Sequence, residues 1–241
     1  HFALILRDPV LRLAAIGSLV FGCFAASIGP YQSLIAVREF DLSNGAYAAV
    51  LIGALVSAVL TAIVVGILTD QRPSRRRMAI VATSANLAAS ALVWLLPSKA
   101  SFIFAHVALI PLGGTVFGQI LALARLASQP LPVQDRPGVL AIVRAAMAVP
   151  FVVLLPLWGI AADHGMSLVH IYLGLAAFSA LHLVLILRNW PPDATAPWVE
   201  VKSGLGFRAA VRVALGARLG PGIGPGVDAP CARLDRPRFR P

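Results

Sequence analysis

Charged residues are scarce in this sequence. Asp, Glu, Lys and Arg make up 12% of its 241 residues, whereas soluble domains average about 25%. The few charges lie in short intervals between long apolar runs, 59% of the residues are hydrophobic, and the mean hydropathy is +0.84. A soluble fold could not cover so much apolar surface with so few charged side chains. The composition therefore predicts a protein whose main partner is the lipid bilayer.

The residues that catalysis and metal binding need are also missing from the apolar runs. The two cysteines, Cys23 and Cys231, form no spacing pattern, so we expect neither a disulfide framework nor a metal site. No Asp or Glu lies inside an apolar run, and no nucleophile stands near a base. His106 and His182 are expected to pack between helices. We therefore expect no cofactor, no metal and no enzymatic activity.

Six runs are long enough to cross a membrane. A helix needs about 20 mainly apolar residues to span roughly 30 Å of hydrocarbon. The runs cover residues 13–37, 46–68, 78–96, 102–123, 139–161 and 168–187. The sequence predicts an all-α membrane protein, with a six-helix transmembrane bundle over residues 1–190 and a tail over residues 191–241.

Lys and Arg are concentrated in alternate connections. One set lies before the first run, between the second and third, between the fourth and fifth, and after the sixth. The connections between these carry only Arg38 and Lys99. Short loops rich in Lys and Arg stay on the cytoplasmic side. We therefore expect a multi-pass protein of a bacterial cytoplasmic (inner) membrane with both termini in the cytoplasm; the first run is too long for a signal peptide.

The net charge of +10 raises the alternative of a nucleic-acid partner. Nucleic-acid recognition needs basic residues on one face of a soluble module, with aromatic residues between them. Here the excess charge is explained by membrane topology and by the tail after Trp190. Anionic lipid headgroups are the better match, and no nucleic-acid partner is expected.

A segment between the second and third runs carries Gly, Leu, Asp and three Arg at a characteristic spacing. The residues are Gly66, Leu68, Asp70, Arg75, Arg76 and Arg77. The segment resembles the cytoplasmic signature of the major facilitator superfamily, roughly G-x-L-a-D-r-x-G-r-R. Pro73 and Ser74 depart from it. The resemblance implies a conformational switch, in which Gly66 permits close helix approach and Asp70 pairs with the arginines. The positive-inside rule alone would also account for the arginines.

Two further segments resemble the sugar efflux transporter branch of that superfamily. They are Phe117-Gly118-Gln119-Ile120-Leu121-Ala122-Leu123-Ala124-Arg125 and Arg144-Ala145-Ala146 with Pro156. In the branch, Phe-Gly-Gln-Leu-Phe-Ala-x-Ala-Arg on the fourth helix precedes Arg-Ala-Gln and Gly-Pro-Pro on the fifth. Ala146 replaces the Gln, and Leu155 replaces the Gly. The resemblance, over about residues 11–188, implies efflux of a sugar or sugar-like solute; a drug exporter is an alternative.

The family fold consists of two six-helix bundles with substrate bound between them. This chain contains one, so the resemblance implies half of a major facilitator fold, built from two inverted three-helix repeats. The half could be a truncated or frameshifted product without transport, or it could self-associate to replace the missing bundle. The tail, rich in Gly, Pro and Arg, is interpreted as disordered or out-of-frame sequence; a basic surface helix over residues 207–219 is the alternative.

Polar residues inside the runs are candidate contacts for a small solute, because polar groups within a membrane need partners. Neutral amides and hydroxyls can bind sugar hydroxyls without burying a charge, and helix-to-helix bonding is the alternative. Arg144 either faces a cavity or extends to the interface. The candidates are Gln32, Asn86, Thr115, Gln119 and Arg144. We also expect the first and fourth spans to be interrupted at corresponding outward positions, by Pro30 and by Pro111 with Gly113 and Gly114.

Overall fold

The computed structural model describes residues 1–71 and 75–192, without the side chains of Asp70 and Gln71. All regular secondary structure in these ranges is helical. The α-helices are α1 (Phe2–Arg7), α2 (Pro9–Ile28), α3 (Gln32–Arg38), α4 (Asn44–Gln71), α5 (Arg75–Leu95), α6 (Lys99–Phe104), α7 (Ile110–Ala127), α8 (Arg136–Ala146), α9 (Val149–Asp163) and α10 (His170–Asn189). A π-helical segment, Ala105–Leu109, joins α6 to α7.

These helices form six spans long and apolar enough to cross a membrane. From first to sixth they are Pro9–Arg38, Asn44–Thr69, Arg75–Leu95, Lys99–Ala127, Arg136–Asp163 and His170–Asn189. Each predicted run overlaps one span, and the ends agree to within about one helical turn. The prediction of an all-helical, multi-pass membrane protein with six spans is confirmed. Apart from Pro191 and Pro192, the predicted tail lies outside the described residues.

Polar side chains at the helix ends explain where several spans begin. An Asp8 side-chain oxygen accepts hydrogen bonds from the amides of Val10, at 2.8 Å, and Leu11, at 2.9 Å, so it caps the first span. Ser98 and Ser101 form a capping box at the start of the fourth span. Such caps satisfy amide groups that have no partner within the helix.

The pattern of packing has an internal symmetry. The first span packs against the fourth, fifth and sixth, and the fourth packs against the first, second and third. The third and sixth also pack against each other. Exchanging the first three spans with the last three leaves these main contacts unchanged. The second and fifth are the peripheral pair, since only 11% and 17% of their most apolar stretches are buried.

Two apolar clusters close the bundle at its two ends. One contains Leu11, Ala79, Leu123, Val139 and Ile186, from the ends of five spans. This end also carries most of the cations, so we call it the arginine-rich end; they are Arg7, Arg12, Arg75, Arg76, Arg77, Arg125, Arg136 and Arg188. The other cluster includes Ile35, Val50, Val93, Phe102 and Tyr172 and defines the distal end.

Three spans depart from regular α-helical geometry. The first is interrupted by a turn that contains Pro30, as predicted. The fourth contains the π-helical segment Ala105–Leu109 immediately before Ile110 and Pro111. The fifth is divided by a turn at Met147 and Ala148. Proline lacks the amide proton that a helix interior requires, which is consistent with the first two positions.

Candidate functional site

Five buried polar side chains form what we call the polar layer of the bundle. They come from the first, third, fourth and sixth spans and are Ser18, Asn86, Gln119, Ser179 and His182. Each carries a buried polar atom that has no hydrogen-bond partner among the described residues. Along their spans all but Gln119 lie between the two apolar clusters. A buried polar atom without a hydrogen-bond partner costs free energy. A polar ligand or water molecule that bonds to these atoms would offset that cost, so the layer is the part of the bundle best suited to bind one.

Gly17 locates three of the spans within this layer. A Cβ atom placed on Gly17 would lie 3.4 Å from the Nε2 atom of His182 and 3.4 Å from the Cδ1 atom of Ile120. The first, fourth and sixth spans therefore meet at this point. Ser18 and Gln119 are the immediate chain neighbours of Gly17 and Ile120.

Asn86 packs directly on the fourth span at Gly113. A Cβ atom at Gly113 would overlap the Asn86 side chain, so a larger residue there would require Asn86 to move. Asn86 is 3% exposed. At Gly114 a Cβ would meet nothing within 4 Å. Both glycines lie inside the regular helix α7, so the irregular segment of the fourth span precedes them. Gly113 thus serves close packing against a polar side chain.

Thr115 and Gln119 are one helical turn apart on the fourth span and share a face. The Thr115 hydroxyl donates to the carbonyl of Leu112 at 2.7 Å and keeps its acceptor capacity. Gln119 is 6% exposed, and its Oε1 atom accepts no hydrogen bond within the described part of the chain. Two of the predicted contacts, Asn86 and Gln119, therefore belong to the polar layer, and Thr115 adjoins it.

The other two predicted contacts lie apart from the layer. Gln32 is the first residue of α3, after the interruption of the first span, and is half-buried at the distal end. Arg144 lies in the last turn of α8 with an exposed side chain, while the preceding Val143 is fully buried. Neither residue is among the buried polar side chains from which the layer is formed.

The predicted conformational-switch motif is described in part. No atom lies within 4 Å of a Cβ placed on Gly66, so no helix among the described residues approaches it closely. The Asp70 side chain lies outside the described atoms. Arg76 donates a hydrogen bond from Nη2 to the carbonyl of Leu187 at 3.0 Å. It thus joins the start of the third span, which also carries Arg75 and Arg77, to the end of the sixth.

Comparisons of this chain with protein-family models, with curated proteins and with solved structures find no match. The resemblance to the major facilitator superfamily therefore stays a prediction. The bundle geometry and the polar layer carry the functional argument.

Sequence reasoning did not select Ser18, Ser179 or His182 as site residues. His106 is stacked on Phe102 with ring centroids 4.2 Å apart and is hydrogen-bonded to Tyr172 at 2.7 Å, in agreement with a packing role. The Nε2 atom of His182 has no such partner among the described residues. Ser179 and His182 are three residues apart on one helix face, and that spacing was the available signal.

Proposed function

We propose that this chain is one six-helix half of a secondary active transporter that moves a small solute, a sugar or sugar-like molecule, out of the cell. The main support is the packing symmetry, because inverted three-helix repeats are a common building plan of transporters. The interruption at Pro30 in the first span and the π-helical segment in the fourth lie on spans that exchange under this symmetry. Discontinuous helices of this kind line substrate sites.

The chemistry of the polar layer favours an uncharged, hydroxyl-rich solute. Its members carry amide, hydroxyl and imidazole groups, and none of the buried polar side chains in the described ranges is Asp, Glu, Lys or Arg. Amides and hydroxyls can both donate and accept, as sugar hydroxyls do. We therefore assign Asn86 and Gln119, assisted by Thr115, to solute recognition. Any proton-coupling carboxylate belongs to another part of the assembly.

A second copy of the chain is the proposed partner. Alternating access requires two bundles that rock about a shared site. The second and fifth spans bury little of their apolar surface within the bundle, so they offer the face against which another bundle would pack. The charge asymmetry of the two ends supports an orientation with the arginine-rich end in the cytoplasm of a bacterial cell.

Reconstitution tests this proposal. The purified chain is placed in liposomes loaded with one of a panel of labelled sugars, and chemical crosslinking measures the oligomeric state of the same sample. We expect saturable efflux from dimers or larger assemblies and none from monomers. Saturable efflux from a demonstrated monomer would contradict the half-transporter interpretation. Absence of efflux for every sugar, from every oligomer, would contradict transport of this solute class.

Variants of two glutamines locate the site. Gln119→Leu should raise the half-saturating sugar concentration about fivefold, because one lost hydrogen bond to a neutral partner costs about 1 kcal/mol. Gln32→Leu makes the same chemical change away from the polar layer and should change it less than twofold. Equal effects of the two substitutions would contradict the assignment of the solute site to the polar layer.

A further inference from the structure

A groove runs between the first and sixth spans at the arginine-rich end. Its volume is about 150 Å³. The lining residues are Pro9, Arg12, Leu13 and Ile16 from the first span and Leu185 and Asn189 from the sixth. Spacings of three and four residues place each set on a single helix face. The groove therefore follows the helix axes, perpendicular to the plane of a membrane that the bundle spans.

The polarity of the groove changes along its length. Arg12 and Asn189 lie towards the ends of their helices, and Leu13, Leu185 and Ile16 lie deeper. Pro9 and Ile16 are seven residues apart, which corresponds to about 10 Å of helix. One leaflet contributes about 15 Å of hydrocarbon, half of the bilayer core. The groove thus has the dimensions and polarity of a lipid headgroup region and the upper part of an acyl chain.

The charge in the groove is positive and is not neutralised by a nearby carboxylate. Arg12 is exposed and donates only a long hydrogen bond, 3.5 Å from Nη1 to the carbonyl of Leu6. Within the described residues no carboxylate oxygen lies within 4 Å of its guanidinium. Asp8 is nearby in sequence, but one of its oxygens already accepts from the amides that start the first span. Arg12 can therefore hold an external anion.

Asn189 supplies a second polar group. Its Nδ2 atom donates to the carbonyl of Leu185 at 3.1 Å. The same amide carries a second N–H, which can donate to an oxygen of a ligand. Beyond the groove, the apolar surface of the first span continues through Ile16 and Leu19, which are 40% and 36% exposed. An acyl chain that starts in the groove has an apolar path towards the bilayer centre.

We propose that this groove binds one anionic phospholipid, with the phosphate on Arg12 and Asn189 and an acyl chain along Leu13, Ile16 and Leu185. The groove combines a positive charge with an apolar slot, the combination by which basic pockets between spans recognise anionic lipids. A zwitterionic lipid has the same chains but no net charge, and binds less well. The site is independent of the proposed transport function.

Native mass spectrometry of the full chain, released from nanodiscs, measures how much lipid stays bound. The probes are dioleoylphosphatidylglycerol, dioleoylphosphatidylcholine and glycerol phosphate, which carries the phosphate without chains. The variants are Arg12→Gln, Ile16→Trp and Arg12→Lys. Arg188→Gln is the matched control, because Arg188 is an exposed arginine next to Asn189 and does not line the groove. Circular dichroism and size-exclusion chromatography check that each variant folds.

We expect phosphatidylglycerol to bind with preference over phosphatidylcholine, and Arg12→Gln to weaken its binding about fivefold, the loss of one cation beside an anionic lipid. Ile16→Trp should weaken it similarly by filling the slot, whereas Arg12→Lys and Arg188→Gln should stay within about twofold. Equal weakening by Arg12→Gln and Arg188→Gln, or equal binding of the two lipids, would overturn the proposal. If glycerol phosphate competes as well as the lipid, the acyl chains add nothing to binding, and the proposal of a phospholipid site is wrong. The two lipids can be compared on the wild-type chain even if a variant misfolds.

Discussion

In the described part of the chain, similar buried side chains have hydrogen-bond partners at the distal end and lack them in the polar layer. At the distal end His106 bonds to Tyr172, and the Glu39 carboxylate accepts from the amide of Leu168 at 2.9 Å. In the polar layer His182 and Gln119 are equally buried but lack partners among the described residues. The hydrogen bonds at the distal end stabilise the bundle. The polar atoms of the layer that have no partner in the described structure contribute no such bond, so they remain able to bind a ligand.

The fifth span shows how the distal end is held together. The Tyr31 hydroxyl donates to the carbonyl of Leu155 at 2.6 Å, and the Trp158 indole donates to the Ser27 hydroxyl at 2.8 Å. Both hydrogen bonds join the first span to the fifth. Removing a partnered polar group at the distal end should therefore lower stability, whereas removing an unpartnered one from the layer should affect binding but not stability. The following changes test that contrast, from the largest expected effect to the smallest.

Gly113→Val should be the most damaging change. A side chain there collides with Asn86, and overpacking a tight interface costs about 1–3 kcal/mol of unfolding free energy. Gly114→Val is the matched control, since it adds the same side chain to the neighbouring residue where a Cβ meets nothing within 4 Å. Denaturant unfolding in detergent micelles measures both. Similar losses at Gly113 and Gly114 would mean that Asn86 can move aside at little cost.

The two buried histidines form the sharpest pair. His106→Leu removes the partner of the Tyr172 hydroxyl and should lower the unfolding free energy by about 1 kcal/mol. His182→Leu removes a polar atom that has no partner in the described structure, so it should leave stability unchanged or raise it. If the polar layer binds solute, His182→Leu should still reduce binding. The contrast between the two regions fails if both substitutions destabilise the bundle equally.

Trp158→Phe should have a smaller effect. It keeps an aromatic ring but removes the donor to Ser27, whose hydroxyl also donates to the Cys23 carbonyl at 2.7 Å. Because one of the two bonds of Ser27 remains, we expect a loss of about 0.6 kcal/mol, the average for such interactions in a membrane protein. Thermal unfolding of the variant beside the wild type provides the measurement. A loss well above 2 kcal/mol would show that ring packing, rather than the bond, dominates.

Lys99→Met should be nearly silent. The Lys99 ammonium lies 3.7 Å from an Asp41 carboxylate oxygen, but both side chains are exposed. Surface ion pairs contribute about 0–1 kcal/mol and weaken as salt is added. Unfolding of the wild type and the variant at low and high salt should give curves that differ slightly and converge. A salt-independent difference would point to the Lys99 hydrogen bond with the Asp41 carbonyl, at 3.0 Å.

The spans could be predicted from sequence because membrane crossing imposes a length and a composition on each helix. The predicted ends of the helices differ from the observed ends where a capping side chain determines the end. Hydropathy placed the start of the first span at Leu13, whereas the Asp8 cap starts the helix at Pro9. Burial of Asn86 and Gln119 also followed from their positions within the spans. The sequence could not show which buried polar residues have hydrogen-bond partners, because pairs such as His106 and Tyr172 depend on which helices pack together.

The π-helical segment has a consequence for the fourth span. A π-turn accommodates one residue more than an α-helical turn, so the residues on its two sides keep the facing they would have if that residue were absent. Converting Ala105–Leu109 to a regular α-helix without removing a residue would instead rotate one side of the span relative to the other by about 100°. Either His106 would turn away from Tyr172 or Gly113 would turn away from Asn86. The segment therefore sets the rotational phase between the distal end and the polar layer.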